Sequence, residues 1–141
     1  MWNDTGMETL ANCVVRGIYI GEGEELLVFD TDRGPVAFET EADCCSETWF
    51  ADILGPASLI GQRVVAIEDV PLANYNVGDG RCRQEEDEVY GHRLATAKGY
   101  TDIIYRNSSN GYYGGSLCTI AYELIPADDP NLTAITEDWN A

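Results

Sequence analysis

The stretches Cys13-Val14-Val15-Arg16-Gly17-Ile18-Tyr19-Ile20, Gly21-Glu22-Gly23 and Leu26-Leu27-Val28-Phe29 decide the fold class. Two short apolar runs are separated by turn chemistry, which is the signature of paired strands. Thr31-Asp32-Arg33-Gly34 supplies a second turn and leads into Val36 and Phe38, so this part of the chain reads as a three-stranded meander. Working outward, residues 64–70, 89–97 and 100–107 read as further strands, the last two joined by a tight turn at Lys98-Gly99. Cys118, Ile120, Tyr122 and Leu124 then alternate with Thr119, Ala121 and Glu123, the pattern of a strand with one buried and one wet face.

One helix is expected between the two meanders. Asp43 suits an N-cap, Cys45, Trp49 and Ile53 fall at i, i+4 and i+8 with Phe50 beside them, and Gly55-Pro56 suit the end of a helix. The other face carries Glu47, Thr48 and Asp52. The expected class is therefore α+β: β-rich, a mostly antiparallel sheet of about seven strands in two meanders with one short helix. A single domain over residues 10–125 is expected, between an N-terminal tail, 1–9, and a C-terminal tail, 126–141. Leu10, Val15 and Ile18 share their spacing with Leu59, Val64 and Ile67, and T-x-x-G recurs at Thr31–Gly34 and Thr96–Gly99. Segments 10–55 and 59–125 read either as an internal duplication or as two meanders that share a common spacing. The second half is longer by the polar stretch 71–87, which holds Gly78, Gly80 and the start of the acidic run Glu85 to Glu88; a loop of this length is either functional or disordered.

The formal net charge is −17, from 25 acidic and 8 basic residues. Binding to a phosphate backbone runs on concentrated Lys and Arg, and here Arg81 and Arg83 are followed at once by the acidic run, so direct nucleic-acid binding is not expected. The charge serves solubility or an acidic face directed at a basic partner. The polar start Met1-Trp2-Asn3-Asp4 lacks a basic segment before an apolar one, and no run approaches a membrane span, so a cytoplasmic protein is expected. Five cysteines, an odd number that includes the adjacent Cys44-Cys45, do not suit a disulfide framework.

The candidate site is Arg106-Asn107-Ser108-Ser109-Asn110-Gly111-Tyr112-Tyr113-Gly114-Gly115. Asn110-Gly111 is a type I′ turn signal that explains the glycines. Arg106, Asn107, Ser108, Ser109 and Asn110 offer guanidinium, amide and hydroxyl groups, and Tyr112 and Tyr113 offer flat faces, a mixture found in binding loops. Asp43, Ser46 and Trp49 complete the expected binding surface, and if the repeat holds, the two segments share an edge of the sheet. No GxxxxGK[ST] or GxGxxG occurs. The only histidine, His92, is the sole candidate base for a cysteine nucleophile. Cys44, Cys45, Cys82 and His92 lack metal-site spacing. No catalytic residue, cofactor or metal is expected, and a non-enzymatic protein is favoured.

Asp43-Cys44-Cys45-Ser46-Glu47-Thr48-Trp49-Phe50, Leu59-Ile60-Gly61 and the segment from Arg106 to Gly115 resemble a family of small bacteriophage proteins, found largely in phages of actinobacteria and described as a domain of unknown function. The resemblance spans residues 10–124 and implies a phage protein expressed in the cytoplasm of an infected bacterial host. It brings no catalytic or binding residues with it. The favoured expectation is an accessory protein that binds a host protein or small ligand. The alternatives are a sponge for a nucleotide signal, holding it on Arg106 and a tyrosine, and an acidic nucleic-acid mimic that inhibits a DNA-handling enzyme.

Overall fold

Every strand among the described residues pairs antiparallel, and these strands fall into two sheets. The computed structural model describes residues 6–42, 46–70, 86–109 and 115–141. The strands are β1 (Val14–Gly21), β2 (Leu26–Thr31), β3 (Gly34–Ala42), β4 (Glu47–Leu54), β5 (Gln62–Arg63), β6 (Ala66–Asp69), β7 (Glu86–Thr96), β8 (Gly99–Ser109), β9 (Gly115–Ile120), β10 (Leu132–Ala134) and β11 (Trp139–Asn140). The first sheet runs β10-β1-β2-β3-β9, with β5 also on β1, and the second runs β11-β4-β8-β7-β6. Phe29, Phe38, Leu27 and Ile18 of the first sheet pack with Phe50, Ile53, Leu94, Ile103 and Tyr105 of the second in one buried cluster.

The two expected meanders are present as β1-β2-β3 and β6-β7-β8, one in each sheet. The strand that follows each meander crosses to the other sheet, so β4 lies on β8 and β9 lies on β3. The two halves therefore exchange their fourth strands. Local hydrogen bonds repeat with the strand order. The Asn12 amide donates to the Val64 carbonyl at 2.9 Å, and the Gly61 amide donates to the Val15 carbonyl at 2.6 Å, a reciprocal pair displaced by 49 residues from Asn12 to Gly61. Gly6 and Gly55 both take left-handed φ, 76° and 72°, before a 3-10 turn. At the two T-x-x-G turns the Thr31 and Thr96 hydroxyls accept from the amides of Arg33 and Lys98 at 3.0 and 3.1 Å.

Two expectations are corrected. Residues 47–54 form strand β4, not part of a helix, and among the described residues the only helical elements are 3-10 turns. A set spaced i, i+4, i+8 is also a set of even spacing, so it falls on one face of a strand as readily as on one face of a helix. A register shift between Phe50 and Asp52 then turns Phe50 and Ile53, three apart, both toward the core. Gly55 and Pro56 open a 3-10 turn. The class is thus all-β with eleven strands among the described residues, where α+β with about seven was expected.

Residues 126–141, expected as a tail, carry β10 on the edge of β1 and β11 on the edge of β4. Strands of three and two residues are too short to show a period in sequence. The approach to them is fixed by the Tyr122 hydroxyl, which donates to Asp129 Oδ2 at 2.7 Å. Burial and that carboxylate push the phenol up to about 12.

Candidate functional site

β4 and β8 bring two of the sequence-selected segments side by side. Across this ladder Glu47 faces Ser108, Thr48 faces Asn107 and Trp49 faces Arg106. Tyr105 lies in the inter-sheet core, so the pleat puts Asn107 on the core face and Arg106 and Ser108 on the opposite face. Strand β8, expected to end at Asn107, runs on through Ser108 and Ser109, so that β4 and β7 flank Arg106, Asn107 and Ser108 on both sides. Arg106 is 1% exposed, and Trp49, Asn107 and Ser108 are fully enclosed. The Arg106 guanidinium carbon stands 5.0 Å from the centroid of the Trp49 ring, a cation–π contact in desolvated surroundings. The Asn107 amide donates to the Thr48 hydroxyl at 2.9 Å, and its Oδ1 is buried with no hydrogen-bond partner among the described residues.

Ser46 sits half-buried ahead of β4, and Ser109 ends β8. Asp43, Asn110, Tyr112 and Tyr113, like Cys44, Cys45 and Cys82, lie outside the described residues. The described ends on either side of those segments converge: Ala42 pairs with Gly115, and Glu47 pairs with Ser108. From Ala42 to Glu47 the chain has only five steps, a reach of at most about 18 Å.

A second cluster, absent from the sequence reading, lies along β7. The rings of Tyr90 and Tyr105 stack with centroids 4.9 Å apart, and His92 stacks on Tyr105 at 6.2 Å. The signal was present: the turn at Lys98-Gly99 fixes the hairpin register, which sets Tyr90 opposite Tyr105 and places His92 two residues on, on the same face. Desolvation lowers the His92 pKa below its ordinary 6.5, and the nearby carboxylates of Asp69 and Glu8 act in the opposite sense. The folded protein therefore binds this proton less readily than the unfolded chain, so stability from this group is complete above pH 6.5 and is lost as pH falls below it. His92→Gln is expected to flatten that part of the curve, seen as a wild-type-minus-variant difference in urea midpoint that changes between pH 7 and pH 5. A difference independent of pH would show that His92 titrates alike in both states.

Among the described residues no group of three or more potential ligands is placed to hold a metal ion. Cys13 is buried and its thiol donates to the Thr9 carbonyl. Burial, Glu41 and Glu39 push the Cys118 thiol up, away from a reactive thiolate. Arg93 and Asp102 form a two-point ion pair, at 2.8 and 3.1 Å, on the outer face of the second sheet. The pair is partly exposed and contributes little to stability. No described helix is long and apolar enough to cross a membrane.

No solved structure matches the chain. An uncharacterised protein, L278, of Acanthamoeba polyphaga mimivirus is 38% identical over 99 residues, which cover 66% of this chain and 73% of the relative. Residues 8–119, from the first 3-10 turn to the crossing strand β9 and so spanning both meanders, match the family described as Domain of unknown function (DUF7448); the chain belongs to that family.

Proposed function

We propose that this chain is a phage-encoded, non-enzymatic accessory protein that acts by binding a host component in the cytoplasm of an infected bacterium. The observation that carries the reading is the convergence of four strand ends, Ala42, Glu47, Ser109 and Gly115, over the enclosed Trp49–Arg106 pair. A contact surface needs side chains held on a rigid base, and the paired ends of β4 and β8, from which the chain continues into residues 43–46 and 109–114, provide one. The composition of those segments, with Asp43, Ser46, Asn110, Tyr112 and Tyr113, is that of adaptable polar contacts around aromatic anchors. A relative in a virus supports a viral role, and seven arginines to one lysine agree with a GC-rich genome such as those of actinobacterial phages. The buried residues Arg106, Asn107 and Ser108 serve here as the foundation of the surface.

The test compares wild type with the Tyr112→Ala/Tyr113→Ala variant as bait in lysate of an actinobacterial host. A partner retained by wild type and lost by the variant, at unchanged melting temperature, is the expected result. A variant that keeps its fold and every partner would overturn the proposed surface.

A further inference from the structure

β10 covers an edge of the first sheet whose counterpart in the second sheet is bare among the described residues. β1 and β6 hold equivalent places in the reciprocal halves: Ile18, Tyr19 and Ile20 face Phe29, Val28 and Leu27, and Ile67, Glu68 and Asp69 face Leu94, Arg93 and His92 in the same order. On β1 the outward backbone groups are taken. The Ile135 amide donates to the Ile18 carbonyl at 2.8 Å, and Thr133 of β10 lies opposite Ile20. On β6 the amides of Val65 and Val70 donate to the Ala95 and Gly91 carbonyls at 2.8 and 3.2 Å. Bonding alternates along an antiparallel strand, so Glu68 bonds to β7, while Ile67 and Asp69 turn their amides and carbonyls outward. These two are the counterparts of Ile18 and Ile20. β6 ends the second sheet, and among the described residues nothing bonds to these outward groups.

We infer that the β6 edge binds an extended, basic segment of a partner protein by adding it to the second sheet as an antiparallel strand. A row of unpaired amides and carbonyls is a template for another chain. Strand addition takes its affinity from main-chain hydrogen bonds and its selectivity from side chains at alternate positions. The length is adequate, since β6 has four residues and β10 holds β1 with three. Half-buried Ile67 packs against the main core and so anchors the edge. Charge selects the occupant. Glu68 and Asp69 are exposed, and a strand laid in the register of β10 sets two residues directly opposite them, where opposite charge is favourable and like charge is not. Arg93, across from Glu68, is committed to Asp102. A second copy of β6 would bring its own Glu68 and Asp69 to the same edge, so like charges oppose self-pairing. The net charge of −17 draws basic segments toward the molecule. β7 and β8 separate this edge from β4, so failure here leaves the host-binding surface at the strand ends standing, and the reverse holds.

The probe is a capped peptide of residues 131–136 carrying Thr133→Lys and Ala134→Lys. In the register of β10 it places one lysine opposite Asp69 and one opposite Glu68, and it keeps isoleucine opposite Ile67. The control has the same side chains, with N-methyl groups on the two backbone amides that would bond to Asp69 and Ile67. Titration followed by amide NMR is expected to saturate for the probe, with slowed hydrogen exchange at Ile67 and Asp69, and to show no binding of the control. Asp69→Pro removes an outward amide and leaves the pairing with β7 in place. It is expected to weaken the probe about fivefold or more, the loss of a main-chain hydrogen bond. Glu68→Gln is expected to weaken it about twofold to fivefold, the range for an exposed ion pair. A linear response spread over the acidic surface, equal binding of the methylated control, or unchanged affinity in both variants would each overturn the inference. So would slowed exchange at Ile18 and Ile20, which reports displacement of β10. Slowed exchange at Ile67 and Asp69 in peptide-free protein as its concentration rises would overturn it in favour of a second copy.

Discussion

Trp49→Ala is expected to lower the free energy of unfolding by about 3–5 kcal/mol, the range for removing a large buried aromatic. Trp49 is fully enclosed and heads the set of largest buried side chains, followed by Arg106. The two face each other across β4 and β8, so the substitution removes packing area and also the ring under the guanidinium, 5.0 Å away. A buried cation deprived of its stacking partner leaves part of its desolvation uncompensated. A double-mutant cycle with Arg106→Ala should therefore return a coupling of about 2 kcal/mol, the range for a desolvated cation–π pair. Urea unfolding is the measurement, with a shift in midpoint at an unchanged slope. A loss below about 1 kcal/mol would show that the β4–β8 ladder is not the packed base that the host-binding surface requires.

How far the fold could be read from sequence depended on whether each element carried its own local signal. The meanders were legible because Gly21-Glu22-Gly23, Thr31 to Gly34 and Lys98-Gly99 are turns whose chemistry is local, and the strands between them are long enough to alternate. β4 was not legible as a strand. It is buried on both faces from Thr48 to Ala51, so alternation vanished and the even spacing of Cys45, Trp49 and Ile53 mimicked a helix. Residues 106–108 read as part of a binding surface because their side chains are polar, with the strand ended at Asn107. That polarity is absorbed by partners on neighbouring strands, as in the bond from Asn107 to Thr48, and such pairing depends on register between distant segments. The docking of β10 and β11 was invisible for a related reason: strands of three and two residues show no period of their own, and they join the fold only by pairing with β1 and β4 on different sheets.

Deleting residues 126–141 is expected to cost about 5 kcal/mol or more, enough to remove most of the stability of an ordinary domain. The deletion leaves the region matched to the family, residues 8–119, intact, so it asks whether that region suffices for the fold. Ile135 is 3% exposed within the main core and Pro126 is buried; losing Ile135 beyond Cβ alone costs about 2–4 kcal/mol. Hydrogen bonds go with it: Asp138 Oδ1 accepts from the Gly55 amide at 2.7 Å, and the Ala141 amide donates to the Ala51 carbonyl at 2.8 Å. The deletion also bares the edges of β1 and β4, and unpaired edges recruit other chains. Thermal unfolding and size-exclusion chromatography of the truncated chain should show a large fall in melting temperature together with self-association. Ile135→Ala in the full chain separates the two effects, because it removes core packing and leaves both edges paired. It should lower stability without aggregation. A truncated chain that stays monomeric and melts within a few degrees of the full one would mean that β10 and β11 rest on the sheets without supporting them.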